Sequence, residues 1–203
     1  MSTGGEAWDR RFSEHEWSHE PDPWLMELTA GLGPGTALDL GCGPGRNAIW
    51  LARQGFQVTA VDNSTVGLQQ ARERARHVGV TLQLVDADLM EYRPEVAYFD
   101  LVVVANIHPG PELLPTVLAR AAQGLRPGGH LFVVGHHLDA LGHDGPPREE
   151  LLYTEERLLS AAPDSITIER LETVSPAGTD RSQSGHQRSV LLWAVRRQGQ
   201  AAL

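Results

Sequence analysis

The chain has 203 residues, 41% of them hydrophobic, which suits one domain with a sizeable core and argues against wholesale disorder. Its formal charge is −9, and its 17 cationic side chains are all arginine, with no dense cluster before Arg196-Arg197, so nucleic acid is disfavoured as a substrate. The single cysteine, Cys42, rules out an intrachain disulfide. Apolar runs such as Leu101 to Ala105 fall far short of the ~20 residues of a membrane helix, and no leader pattern opens the chain, so a cytoplasmic protein without membrane partners is expected.

Residues 1–23 are polar but carry Trp8, Phe12 and Trp17, and read as a short helix or lid. Asp22-Pro23 starts a helix with Trp24, Leu25, Leu28 and Leu32 at helical spacing. Thr36 to Leu40 is a buried strand running into Gly41-Cys-Gly-Pro-Gly45, and Ala48, Ile49, Leu51 and Ala52 mark the helix that follows. Residues 56–62 read as the second strand, ending on Asp62. Asn63 or Ser64 is placed to cap a helix from Thr65 to His77. The third strand is expected at Val80 to Val85, the fourth at Phe99 to Ala105 and a helix from Pro111 to about Leu125. A turn at Arg126 to Gly129 leads to the fifth strand, His130 to Gly135. After a His-, Gly- and Pro-rich loop at 136–152 and a short helix beyond Thr154, Ile166 to Val174 and Ser189 to Val195 are two strands with no helix between them. One of that pair must run antiparallel to the rest, whereas the earlier strands alternate with helices or loops as parallel βα units do.

The glycine loop is the first half of a nucleotide-binding βαβ unit. Asp62 closes the next strand 17 residues after Gly45, where a carboxylate can accept from a ribose diol. A dinucleotide site would want Gly-x-Gly-x-x-Gly, but position 46 is Arg, and Pro44 removes an amide donor. Asp39, two residues before the loop, does not welcome phosphate and suits an amino group.

Asp39-Leu-Gly-Cys-Gly-Pro-Gly45 resembles motif I of the class I S-adenosylmethionine-dependent methyltransferases. Val61-Asp62, Asp86-Ala-Asp88-Leu89, Phe99-Asp-Leu-Val102 and Leu125-Arg-Pro-Gly-Gly-His-Leu131 resemble the later motifs of that family, in its order. Trp8-Asp-Arg-Arg-Phe12, Glu20-Pro-Asp-Pro-Trp24, the segment 45–55 and Leu152-Tyr-Thr-Glu-Glu156 are similar to its tellurite-resistance and thiopurine type. The resemblance implies an α/β, Rossmann-like three-layer sandwich with a seven-stranded, mostly parallel sheet and an antiparallel last strand. It divides the chain into an N-terminal lid and helix, 1–35, and a methyltransferase domain, 36–203. The implied cofactor is S-adenosyl-L-methionine, with S-adenosyl-L-homocysteine as product. Gly41, Cys42 and Gly43 would meet its methionine part and Asp39 its amino group. Asp62 would hold the ribose, Asn63 and Leu89 would lie by the adenine, and Asp88 would accept from the adenine amino group. Ala105 would offer its carbonyl, and Arg46 and Asn47 complete the cofactor set.

A sulfonium methyl is already activated, so transfer is an in-line displacement, and a base is needed only where the acceptor must lose a proton. His108 is the first candidate for base or substrate-positioning group, with Asn106 and His137 as further catalytic candidates. His136 and Trp17 join His108 as substrate contacts, and Trp8, Phe12, Trp17 and Trp24 are placed to form an aromatic lid over the sulfonium. Arg181 and His186 read as solvated loop residues. Histidines 136, 137 and 143 with Asp139 and Asp144 match no closed ligand set, so no metal is expected. The expected partner is a small-molecule acceptor, and the expected state a monomer or homodimer. The alternatives are a natural-product tailoring O-, N- or C-methyltransferase, a non-catalytic S-adenosylmethionine-binding module, and, disfavoured by Arg46, an NAD-dependent Rossmann protein.

Overall fold

The structure, a computed structural model, describes residues 4–143, 145–175 and 188–198. Seven strands form one sheet in the order β3-β2-β1-β4-β5-β7-β6. The chain divides into two compact units.

The first unit holds residues 1–93 and 99–103. Helices α1 (Gly4–Glu14) and α2 (Pro23–Thr29) precede β1 (Thr36–Leu40). Asp22 caps α2 as its position before Pro23 suggests, accepting from the amides of Trp24 and Leu25 at 3.0 and 3.3 Å. Helix α3 (Arg46–Arg53) leads to β2 (Gln57–Asp62), α4 (Thr65–His77) and β3 (Gln83–Asp86). Ser64, not Asn63, caps α4 through its hydroxyl to the Gly67 amide, at 3.0 Å. Strands β1, β2 and β3 pair in parallel. Leu38, Val61, Leu51, Leu68 and Ala71 are buried between these strands and the helices α3 and α4, each large aliphatic side chain contributing about 1.5–3 kcal/mol. The third strand starts three residues later than the sequence suggests. Gly79 turns left-handed at φ +76° and the Val80 amide bonds back to the Ala75 carbonyl, so residues 79–82 serve the exit from α4. Strand β4 (Phe99–Ala105) begins in this unit, and its Asp100 side chain accepts from the Thr36 amide at 2.7 Å.

The second unit holds residues 94–98 and 104–203. Helix α5 (Leu114–Gly124) begins beyond Pro111, because residues 110–114 first close a turn on the Gly110 carbonyl. Strand β5 (Leu125–His136) includes the Arg-Pro-Gly-Gly segment expected as a turn, with Gly128 at φ +82°, but pairs with β7 only from His130 onward. Thr154 caps α6 (Glu155–Ala161), accepting from the Arg157 amide at 3.1 Å. Strand β7 (Ser189–Arg196) runs antiparallel to both β5 and β6 (Ile166–Val174), so the last strand is the reversed one. No described helix is long and apolar enough to cross a membrane.

Candidate functional site

In the first unit, the glycine loop turns through left-handed positions at Gly41, Gly43 and Gly45, with φ of 73°, 48° and 84°. Its amides are spent within the protein. Gly41 and Cys42 both donate to the Val61 carbonyl, at 2.8 and 3.0 Å, and Gly43 donates to Asp62 Oδ2 at 2.7 Å. Pro44 has no amide hydrogen. The loop therefore presents a ligand with Cα faces and carbonyls rather than a nest of donors, the reverse of a phosphate cradle.

Asp39 sharpens that polarity. It is 2% exposed, and its Oδ2 is buried without a hydrogen-bond partner among the described residues. Burial pushes its carboxyl up to about 7, against the pull of the Arg46 charge. A buried acceptor left unpaired at a strand end is costly, and an ammonium group would satisfy it. Asp62 is 8% exposed; burial raises its pKa, although its oxygens accept from the Ser64 and Gly43 amides. A carboxylate offers about four acceptor sites, so two amides leave room for hydroxyl donors. Cys42 is buried, and burial raises its thiol pKa, so it packs as a neutral side chain.

Asn47, expected among the cofactor ligands, uses Oδ1 to accept from the Asp22 amide at 2.9 Å, tying the segment before α2 to α3. Burial raises the pKa of Asp22 as it does that of Asp39, and the Arg46 charge pulls against the rise at both. Asp88 is exposed, and its Oδ1 accepts from the Met90 amide at 2.7 Å, while Ala87 donates to the Asp62 carbonyl and so holds the ends of β2 and β3 together. Asn63 is half-buried; its carbonyl lies where a Cβ on Gly5 of α1 would fall. Leu89 is half-buried. Trp8, Phe12 and Trp17 form one aromatic cluster, with ring centroids 5.2 to 6.1 Å apart. The Phe12 ring lies against Gly43, 3.0 Å from where a Cβ would stand. Trp24 is half-buried on α2.

In the second unit, Ala105 ends β4 half-buried. Asn106 follows at φ +57°, its amide donating to the Val134 carbonyl at 2.8 Å. A non-glycine residue in that region is strained, and such strain gathers at functional sites. His108 Nδ1 bonds the Leu151 carbonyl at 2.8 Å, which assigns the proton to Nδ1 and leaves Nε2 as an acceptor 3.4 Å from the His136 amide. Burial lowers its pKa to about 4. Its ring stacks on His136 at 5.4 Å and meets Tyr153 at 4.8 Å. Tyr153, which sequence reasoning did not single out as a site residue, is buried and donates to the Ile107 carbonyl. His137 pairs along the backbone with Tyr153, and its ring accepts from the Asp139 amide at 3.1 Å, with Asp139 paired to Arg188. Among the described residues no three His, Cys, Asp or Glu gather as a metal site. Asp144, Arg181 and His186 lie outside the described residues.

Residues 37–129 match the family model described as a methyltransferase domain. Over that stretch the chain is similar to methyltransferase domains. The Ubiquinone biosynthesis O-methyltransferase of Yersinia pestis (strain Pestoides F) is 31% identical over 110 residues, 54% of this chain and 46% of that protein. The chain thus matches about half the length of that curated relative. Two solved structures share the fold of this chain. One, of the conversion of a disulfide bond into a thioacetal group during echinomycin biosynthesis, gives a TM-score of 0.78 at 22% identity, over 97% of this chain and 94% of that one. The other is N-methyltransferase NodS from Bradyrhizobium japonicum WM9 in complex with S-adenosyl-L-homocysteine, with a TM-score of 0.75 at 19% identity, over 96% and 98% of the two chains. S-adenosylmethionine, cationic at sulfur and nitrogen, fits an acceptor-rich loop with an unpaired buried carboxylate beside it.

Proposed function

We propose that the chain is an S-adenosylmethionine-dependent methyltransferase acting on a small-molecule acceptor, with S-adenosyl-L-homocysteine as its product. The observation that carries the proposal is Asp39, buried beside a loop whose amides are already spent. Asp39 takes the ammonium of the methionine part, and Arg46 answers its carboxylate. Asp62 takes the ribose hydroxyls, Asn63 and Leu89 flank the adenine, and Asp88 accepts from its amino group. Ala105 lends its carbonyl. Gly41, Cys42, Gly43 and Asn47 shape the floor, and Trp17 offers an aromatic face to the sulfonium.

When bound, the cofactor supplies a methyl that leaves its sulfur as the acceptor's lone pair forms the new bond. The protein's part is alignment and exclusion of water, worth up to ~7–11 kcal/mol for a well-placed pair. His108, Asn106, His136 and His137 are proposed for the acceptor side. With a pKa of about 4 and its Nε2 lone pair facing the His136 amide, His108 is a weak base at neutral pH, so its role is to shape the acceptor side with its ring. That favours an acceptor that arrives as an anion or loses its proton readily, such as a thiolate or an acidic hydroxyl. Likeness to a protein of echinomycin biosynthesis supports a natural-product acceptor, and the net charge of −9 supports a small molecule over nucleic acid. The proposed setting is cytoplasmic, with a monomer or homodimer and division at residues 35 and 36 into lid and catalytic domain. The test is transfer of a labelled methyl group to a panel of thiols, phenols, amines and soft chalcogen anions. Stoichiometric S-adenosylhomocysteine and labelled product support the reading; tight cofactor binding with no turnover across the panel favours the non-catalytic module.

A further inference from the structure

Helix α1 brings one carboxylate, Asp9, to the strand end proposed to hold the cofactor, and that carboxylate is outside every role given so far. Gly5, Asp9 and Phe12 are spaced four and three residues apart, so they share one face of α1. Gly5 is buried against Asn63, where a Cβ would run into the Asn63 carbonyl. Phe12 is 7% exposed, its ring lies against Gly43 and Gly67, and its carbonyl accepts from Gln70 Nε2 at 3.0 Å. Between them, Asp9 Oδ1 accepts from Ser64 Oγ at 2.5 Å and from the Val66 amide at 3.0 Å, while Oδ2 accepts from Thr65 Oγ1 at 3.3 Å.

Asp9 therefore completes the N-terminus of a neighbouring helix. The first amides of α4 have no partners within the helix. Ser64 satisfies Gly67, and Asp9 satisfies Val66 from across the gap. A negative charge at a helix N-terminus is also favoured by the helix dipole. The same residues continue into the cofactor site, because the Ser64 amide donates to Asp62 Oδ1 at 2.8 Å and Asp62 Oδ2 accepts from Gly43. An unbroken path, Asp9–Ser64–Asp62–Gly43, joins α1 to the carboxylate and loop proposed to hold the cofactor.

We propose that Asp9 is a positioning residue for the cofactor site, latching α1 onto the N-terminus of α4 so that Phe12 stays seated on the glycine loop and Asp62 keeps its orientation. The proposal rests on the reading of residues 39–62 as an S-adenosylmethionine cradle. Asp9 is half-buried and acts through Ser64. Its removal unpins the lid without touching the acceptor side. The consequence falls on cofactor affinity and release, leaving turnover at saturation unchanged.

The experiment compares wild type, D9A and D9N. Calorimetry gives the S-adenosylhomocysteine dissociation constant, and stopped-flow tryptophan fluorescence, for which Trp8 and Trp17 in the lid are reporters, gives the release rate. D9A should weaken binding roughly fivefold, the size of a lost helix cap, through faster release. It should raise KM for the methyl donor with kcat unchanged. D9N keeps an acceptor oxygen for Ser64 and Val66 and should recover most of the loss, which also keeps the test open should D9A fold poorly. Unchanged affinity and release in D9A, or equal loss of kcat and affinity, would overturn the latch while leaving the cofactor assignment standing. Failure of the wild type to bind S-adenosylhomocysteine at all would overturn both.

Discussion

Replacing Asp39 by asparagine isolates the charge that the cradle is built around. The side chain is buried, one oxygen has no described partner, and its pKa in the free protein is raised to about 7. An ammonium group bound there would hold the carboxylate ionised, so its pKa falls on binding. Below pH 7 the free protein carries a proton on Asp39 that must leave as cofactor enters. Binding at pH 6 should release about nine-tenths of a proton, and affinity should rise by up to about tenfold per pH unit until it levels near pH 7. D39N keeps the shape and loses the charge-assisted hydrogen bond, worth about 1.5–3 kcal/mol, so affinity at pH 7.5 should drop roughly 10- to 150-fold. Its binding should also lose this pH dependence. Stability moves with the same proton. A carboxyl whose pKa is raised by folding binds more protons in the folded than in the unfolded state between about pH 4 and 7. The free wild type should therefore lose stability as pH rises through that range, by up to about 1.4 kcal/mol per unit, and D39N should lack this contribution. Calorimetry of S-adenosylhomocysteine binding in buffers of different ionisation enthalpy, with denaturant melts beside it, measures all of this. Wild-type affinity flat from pH 5.5 to 7, together with undiminished binding by D39N, would refute the reasoning.

D62A should weaken cofactor binding by about 10- to 100-fold, since hydrogen bonds to a charged group carry about 1.5–3 kcal/mol and the Gly43 and Ser64 amides lose their anchor; unchanged affinity in calorimetry would end the ribose assignment. H108A should lower turnover while leaving cofactor affinity alone, because its Nδ1 holds the Leu151 carbonyl; wild-type rates on the acceptor found in the panel would remove it from the site. G135A puts a methyl 2.6 Å from the Tyr153 ring and 3.0 Å from His108 Cε1, and should cost about 1–3 kcal/mol by overpacking, several degrees of melting temperature; an unchanged melt would show that Tyr153 yields freely.

Local chemistry made much of the fold legible. Asp22, Ser64 and Thr154 cap helices that start at the next residue, so the signal and its consequence lie within one turn. Two strands without a helix between them had to reverse one chain direction, and β7 does. The start of β3 was harder, because residues 79–82 could extend either α4 or the strand until Gly79 turned left-handed. The placement of Asp39 and Asp62 beside the glycine loop was readable because strand, glycine loop and strand fix their spacing. Asp9 and Tyr153 were not. Asp9 meets partners 55 to 57 residues away, and Tyr153 reaches a carbonyl 46 residues back. No periodicity in the sequence reports such meetings. Asn47 shows the converse, as a residue in a binding motif whose side-chain oxygen holds a neighbouring segment.

The most direct test of the account is a crystal structure with S-adenosyl-L-homocysteine bound. Its ammonium should lie within hydrogen-bonding distance of Asp39 Oδ2, its ribose hydroxyls on Asp62, and the Phe12 helix over Gly43. A ligand bound with Asp39 still unpartnered and Asp62 clear of the ribose would contradict it.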